Sequence, residues 1–431
     1  MKRVLIISYY WPPAGGISII RPLKLVKYIR DFGWEPVVCT AEGAHYPLED
    51  ENASLDIPED LEILKVPIIE PYAVYKKLTG QKEKEALVDV IQNAPKRSLL
   101  HNLSIWIRGN FFIPDARCLW INPAVKELKK YLKENPVDAI ITTGPPHSVN
   151  RIGYLLKKDL GLPWLADFQD PWTQVDYYKH FKISSWAHRR HQKMEKAVFD
   201  HADCITIVSN SWKRDLKSIG AKNVSVVPLG YDPVDFSDNV NLDKEFSITH
   251  LGLLGEDRNP ETLFRVLADI CKDDDDFASQ LKIKLIGKVN PKLLALAEEL
   301  GLTKQVEYIG QVSRGMALQY MQSSQILLLL LNKAENVSGR IPGKVFEYLG
   351  AQRPILSLGP GGTDIEKMLV EAKAGENIDY EEDAVLRSHI LSCFNRYKKG
   401  GLQSTGNSFE ALSHSAIAGR FAHLLEQINT K

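Results

Sequence analysis

Only five of the 431 residues are cysteine, and Cys39, Cys118, Cys204, Cys271 and Cys393 are scattered with no CxxC pair. This excludes a disulfide framework and a thiolate zinc site, and it fits a reducing cytosol. No run approaches the ~20 apolar residues of a membrane span. The opening MKRVLIISYYWPP has too short an apolar core for a signal peptide and reads as a first strand. Neither sign of charge is in excess, since Lys+Arg and Asp+Glu are both 54, so no nucleic-acid partner is expected. A GxGxxG turn, the mark of a dinucleotide site, is missing. One acidic run, Asp273 to Asp276, resembles a metal-binding DxD, but it falls beside a predicted helix and reads as a solvated loop.

What is present is a long alternation of short apolar runs and amphipathic stretches, enough for two α/β domains. Val4 to Ser8 reads as a buried strand, Tyr9 to Gly16 as a loop, Ser18 to Phe32 as a helix and Trp34 to Thr40 as a second strand. Gly15 and Gly16 stand where strand turns to helix and would let a ligand approach the backbone. Strands are also predicted at Asp138 to Thr142 and Trp164 to Phe168. They end in Thr143-Gly144-Pro145-Pro146-His147-Ser148 and in Gln169-Asp170-Pro171-Trp172, which puts His147 and Asp170 at carboxyl ends of strands, where ligands of open α/β sheets bind. Ser98 to Phe112 is apolar and aromatic among basic residues. It suits either a helix packed on its domain or peripheral contact with a membrane. Trp186 to Ala202 is a helix whose charges read as a solvated face. The low-apolar stretch Asp235 to Lys244 reads as a linker, giving domains over 1–234 and 245–408 and a closing helix over 409–431 that packs back across the junction.

The densest chemistry lies in NVSGRIPGKVFEYLG, Asn336 to Gly350. It follows the apolar run Ile326 to Leu331 and precedes Ile355 to Leu358, so it reads as strand, open loop, helix start and next strand. A helix start at this edge attracts anions. Lys344 in the first turn opposes the helix dipole and needs a partner such as a phosphate. Glu347, one turn on, suits sugar hydroxyls. Gly359-Pro360-Gly361-Gly362 forms a second possible phosphate-facing turn.

Taken in order, SYYWPPAGG, TTGPPHS, ADFQDPW, PLGYD, GLLGEDRNPETL and IPGKVFEYLGAQRPIL resemble a bacterial family 4 glycosyltransferase. The resemblance implies the GT-B fold, two Rossmann-like doubly wound domains facing across a cleft. It implies retaining transfer of a sugar from a nucleotide-diphosphate donor to a glycan or lipid-linked acceptor, without metal or other cofactor, in surface polysaccharide or glycolipid assembly. The setting would be cytoplasmic or peripheral at the inner face of the plasma membrane. By the same resemblance Gly15 and Gly16 approach the donor, His147 lies near the transferred sugar and Arg258 and Lys344 lie on the diphosphate. Gly310, Gln311 and Val312 hold the base, and Glu347 binds ribose. Two positions depart from the pattern: Gly339 stands where many members have a first glutamate, and Leu253 where they have an arginine. A sugar-nucleotide 2-epimerase and a non-catalytic sugar-nucleotide-binding partner are the rival readings.

Overall fold

A computed structural model describes residues 1–46, 48–69, 99–175, 178, 181–237, 240–255, 258–332, 338–400, 402 and 409–430. The chain divides into two units, Met1–Leu229 with His414–Lys431, and Gly230–Ser413. The stretch 235–244 thus lies inside the second unit, and the closing helix His414–Asn429 inside the first. The charged stretch Gln81 to Arg97 lies outside the described residues.

The first unit is built on β1 (Lys2–Ser8), β2 (Trp34–Glu42), β3 (Glu62–Pro67), β4 (Ala139–Thr143), β5 (Trp164–Gln169), β6 (Cys204–Ile207) and β7 (Val224–Val226). They form one parallel sheet in the order β3-β2-β1-β4-β5-β6-β7. Val4 to Ile7 are completely buried, as an apolar run covered on both faces requires. The helix predicted from Ser18 to Phe32 is split: a 3-10 turn Ile17–Ile19, an α-helix Ile20–Tyr28 and a 3-10 end Ile29–Phe32. Gly33, with φ 83°, ends it. The closing helix packs on this first helix.

The second unit repeats the plan with β8 (Phe246–Leu251), β9 (Leu281–Ile286), β10 (Val306–Gly310), β11 (Ile326–Leu330), β12 (Ile355–Leu358) and β13 (Gly375–Ile378), ordered β10-β9-β8-β11-β12-β13 and all parallel. Each unit has its own core. In each sheet the strand order reverses beside the first strand, between β1 and β4 and between β8 and β11. Such switch points are where doubly wound sheets open to ligands.

Three expectations need revision. The acidic run is not a loop: Asp273 ends one helix and pairs with Arg387 at 2.6 Å, while Asp274 caps the next by accepting from the Phe277 N–H. The helix Ser185–His201 does not keep all its charges in water, because His191 and Glu195 are buried. The glycine turn after β12 is already capped, since Glu366 accepts from the Gly362 N–H, so a carboxylate sits where a phosphate was expected.

Candidate active site

At the β1/β4 switch point the glycine loop is packed against its own unit. The Gly15 N–H donates to Leu48 O at 2.8 Å, and a β-carbon on Gly15 would meet Leu48 Cγ at 3.0 Å and Asp50 Cβ at 3.2 Å. Gly16 has φ 83°, a conformation that suits glycine. Contacts with residues 48–50 therefore account for Gly15, and backbone conformation for Gly16. After β4, His147 is buried, with its ring stacked on Trp172 at 4.8 Å between centroids. Thr142 donates to Asn150 Oδ1, which turns the Asn150 amide toward His147 Nδ1 at 3.3 Å; the ring also bonds to the Pro171 backbone. Burial pushes the His147 pKa down to about 3, so its imidazole is neutral. The Ser148–Leu160 helix that begins beside it is capped by Asp115, which accepts from the Ser148 N–H at 2.8 Å and its hydroxyl at 2.7 Å. Asp170 is half-buried at the carboxyl end of β5.

Sequence reasoning missed the charged pair beneath this edge. Arg21 and Asp167 are both buried, with Nε 3.5 Å from Oδ2. Asp167 accepts from Thr143 at 2.9 Å and Thr206 at 2.7 Å, and Arg21 donates to Val227 O at 2.9 Å and lies over the Phe421 ring. Asp170 adds a second attractive charge. Among the described residues the Arg21 Nε and Nη1 groups have no hydrogen-bond partner. Burial pushes the pKa of Arg21 down and that of Asp167 up, against their mutual attraction.

The β8/β11 switch point gathers the cations. The helix Lys344–Gly350 is seven residues long, so its dipole is small and formal charge decides the site's character. Tyr348 fastens this helix to both strands. Its hydroxyl accepts from the Leu251 N–H at 3.2 Å and donates to Leu328 O at 3.3 Å. Lys344 then reaches back over the end of β8 and donates to Leu251 O at 2.8 Å. Gly252, with φ 111°, leaves room for it, since a β-carbon there would stand 3.1 Å from Lys344 Nζ. Among the described residues Lys344 has no carboxylate within ion-pair distance. Burial, then the neighbouring Arg258 guanidinium, pushes its pKa down to about 8, with Glu347 opposing. His250 lies beneath them, held neutral by burial and by the charge of Lys344.

Glu347 carries its own partner, one the sequence did not reveal. Arg314 Nη1 donates to Glu347 Oε1 at 2.7 Å while Nη2 donates to Asp235 at 2.9 Å. Burial raises the Glu347 pKa, and Arg314 counters it. Gly310 ends β10, two strands from β8, and Gln311 and Val312 follow it; the Gly310 carbonyl accepts from the Gly287 N–H at 2.7 Å. Gly339 is buried and its neighbour Ser338 accepts from the Asp364 N–H, while Leu253 is exposed. The structure thus brings Arg258, Lys344 and Glu347 into one electrostatic cluster, with Gly310 to Val312 at the same sheet edge. His147, Asp170, Gly15 and Gly16 belong to the other unit's edge.

Two doubly wound parallel units of this kind define the GT-B class, and solved structures share the fold along nearly the full length. Sucrose-phosphate synthase from Thermosynechococcus elongatus matches at 14% identity over 100% of both chains, with a TM-score of 0.60. WaaG, a glycosyltransferase involved in lipopolysaccharide biosynthesis, matches at 14% over 98% of this chain and 99% of its own, TM-score 0.51. A putative UDP-N-acetylglucosamine 2-epimerase from Listeria monocytogenes matches at 12% over 99% of this chain and 96% of its own, TM-score 0.56. These likenesses define fold only. No curated protein matches by sequence. Residues 74–235 match the model of Glycosyltransferase Family 4.

Proposed function

We propose that this enzyme moves a sugar from a nucleotide-diphosphate donor, with retention and without a metal, to a glycan or lipid-linked acceptor in cytoplasmic assembly of a bacterial surface polysaccharide or glycolipid. One observation carries the reading: Lys344 is buried at a strand-end switch point and, among the described residues, has a carbonyl and no carboxylate as its hydrogen-bond partner. A buried lysine so placed calls for an anion, and a diphosphate would supply it. As the anomeric C–O bond breaks, its electron pair passes to the diphosphate, where Lys344 and Arg258 stabilise the growing charge. The acceptor oxygen bonds to the anomeric carbon on the same face, and its proton passes to the departing phosphate. Glu347 takes the ribose hydroxyls, the 310–312 backbone takes the base, and Asp170 contacts the acceptor. His147, a neutral imidazole stacked on Trp172, lies near the transferred sugar. WaaG, named for lipopolysaccharide biosynthesis, supports the surface-glycan setting.

Nucleoside diphosphate release from UDP-, GDP-, ADP- and dTDP-sugars, with and without cell-derived acceptor, tests this. Release that depends on acceptor is expected. The epimerase reading, favoured by the fold shared with a putative 2-epimerase, predicts a changed sugar still joined to its nucleotide. The non-catalytic reading, motivated by the buried Gly339, predicts binding without turnover under every condition.

Donor affinity should depend on pH. Binding a diphosphate must raise the Lys344 pKa above its free value of about 8. Affinity is therefore full below pH 8 and falls as pH climbs from there through the raised pKa of the complex, by up to about tenfold per unit. Calorimetric titrations of nucleoside diphosphate between pH 7 and 10 would show the slope. Lys344→Arg, which stays charged, should flatten it. A slope unchanged in that variant would remove Lys344 from the phosphate.

Arg314 should act as a positioning residue. Removing it frees the Glu347 carboxylate to rotate and raises its pKa further. Arg314→Ala is expected to raise the donor KM by about tenfold with kcat nearly kept, as for loss of uniform binding. The acid limb of donor binding should also move to higher pH. An unchanged KM and acid limb would make the Arg314 contacts merely structural.

A further inference from the structure

We infer that the second unit carries a further small-molecule site, at the sheet edge opposite the Lys344 cluster, which takes a small organic oxyanion on a sugar-sized body. The site is a cavity of about 450 Å³ lined in part by Tyr231, Phe236, Gln322, Gln352 and Arg353, all within that unit. Ser324 and Gln325 lead into β11 and Arg353 leads into β12, so the cavity lies at the amino-terminal ends of the strands, whereas Lys344 reaches over the carboxyl end of β8. The inference needs nothing from the donor reading.

Arg353 is 7% exposed. Its Nε donates to Ser324 O at 2.7 Å, and its Nη2 to Gln325 O at 3.4 Å and Gln325 Oε1 at 3.3 Å. Gln325 is itself held, since its Nε2 donates to Asp243 O at 2.7 Å. The guanidinium is thus fixed, and among the described residues its Nη1 has no protein partner. Burial pushes the Arg353 pKa down to about 10; Asp243 opposes this from a distance, but that carboxylate is engaged by Lys284 at 2.7 Å. The carbonyls that Arg353 holds follow the helix Arg314–Ser323 and carry partial charge, so they offset only part of its unit charge. A buried arginine beside a cavity then suits an oxyanion, which guanidinium nitrogens bind well.

The walls are braced around it. A β-carbon on Gly350 would meet Phe236 Cε2 at 2.5 Å and Tyr231 Cδ2 at 2.7 Å, so both rings lie against the last turn of Lys344–Gly350. The Gln322 amide accepts from the Ser237 N–H at 3.2 Å and donates to Ser237 O at 2.8 Å, which fixes the backbone next to Phe236. Gln352 is exposed with φ 54°, a conformation in which helix ends usually place glycine, so a side chain is kept at the cavity against backbone preference. Rings for the carbons, an amide for hydroxyls and a fixed cation for the charge match a sugar-sized oxyanion. The helices Arg314–Ser323 and Lys344–Gly350 both end at the cavity, so an occupant touches their far ends.

The test is calorimetric titration of the full chain at neutral pH with mannose 6-phosphate, glucuronate and uncharged mannose. Binding of an oxyanion and not of mannose is expected, and the two charged probes tell a phosphate site from a carboxylate site. Gln352→Glu adds a negative charge at an exposed position and should weaken binding about fivefold at low salt; Gln352→Lys should strengthen it by about the same factor. Arg353→Met should weaken it by at least about tenfold, and the Gln352 pair decides the matter if that variant does not fold. Hydrogen exchange in 314–323 and 344–353 should slow on binding. Lys344→Met should bind as wild type does, which separates this site from the donor cluster and its failure from failure of the transfer chemistry. Binding of neither oxyanion, mannose bound equally well, or binding lost in Lys344→Met and indifferent to both Gln352 changes overturns the proposal.

Discussion

Replacing Lys344 by methionine is expected to lower turnover by about 10²–10³ and, at the same time, to raise the melting temperature. The loss follows from its place: the side chain reaches over the end of β8, beside Arg258, where charge would grow on a departing diphosphate. The gain follows from burial. The folded pKa, about 8, lies below the unfolded value of 10.5, so folding opposes the charged form. At pH 7 this costs up to about 3 kcal/mol, and methionine fills similar space without it. The sign also fixes a pH dependence. Between about pH 8 and 10.5 the unfolded chain holds the proton more tightly, so wild-type stability relative to the variant rises with pH. The advantage of Lys344→Met should therefore shrink across that window. Turnover and thermal melts at pH 7 and 10 check both halves. A lower melting temperature at pH 7 would mean that Lys344 is a tether to Leu251 O and not a binding group.

Asp167→Ala should destabilise the first unit by about 3–5 kcal/mol, the usual cost of leaving a buried charge unpaired. The substitution leaves Arg21 buried with Nε and Nη1 unpartnered, and removes the acceptor of Thr143 and Thr206. Replacing both charges, Arg21→Leu with Asp167→Val, should cost much less than the single change, because no charge is stranded. All eight tryptophans (Trp11, Trp34, Trp106, Trp120, Trp164, Trp172, Trp186 and Trp212) lie in this unit, so fluorescence during denaturant unfolding reports it alone. If the double variant were as unstable as Asp167→Ala, the pair would be contributing stability by itself. If Asp167→Ala unfolded like wild type, the buried pair would not be energetically coupled.

The strands were legible because parallel strands covered on both faces read as unbroken apolar runs; Val4 to Ile7 and Ile326 to Leu330 are plain cases. Lys344 in a first helical turn was legible because its place conflicts with the dipole and so asks for an explanation. The Arg21–Asp167 pair was not, since 146 positions separate its members and only the sheet order brings them together. Arg314 was hidden likewise: it opens one helix while Glu347 sits on another and Asp235 lies in a stretch read as a linker. Composition also misled. The Ser185–His201 helix is so rich in charge that it reads as solvated, yet Glu195 is buried, accepts from Thr173 at 2.6 Å and is pushed up to about 7 by that burial. At Gly15 the structure adds a packing reason for glycine, since Leu48 and Asp50 stand where a β-carbon would go.

The most direct measurement is a thermal-shift series with UDP-, GDP-, ADP- and dTDP-sugars on the wild type, Lys344→Met and Arg258→Ala. A donor at about 100 times its dissociation constant adds about 2.7 kcal/mol to the state that binds it. A shift with one nucleotide class, lost in both variants, is expected and would place the diphosphate on Lys344 and Arg258. A shift of equal size in all three proteins would contradict that placement, and no shift with any nucleotide would contradict donor binding itself.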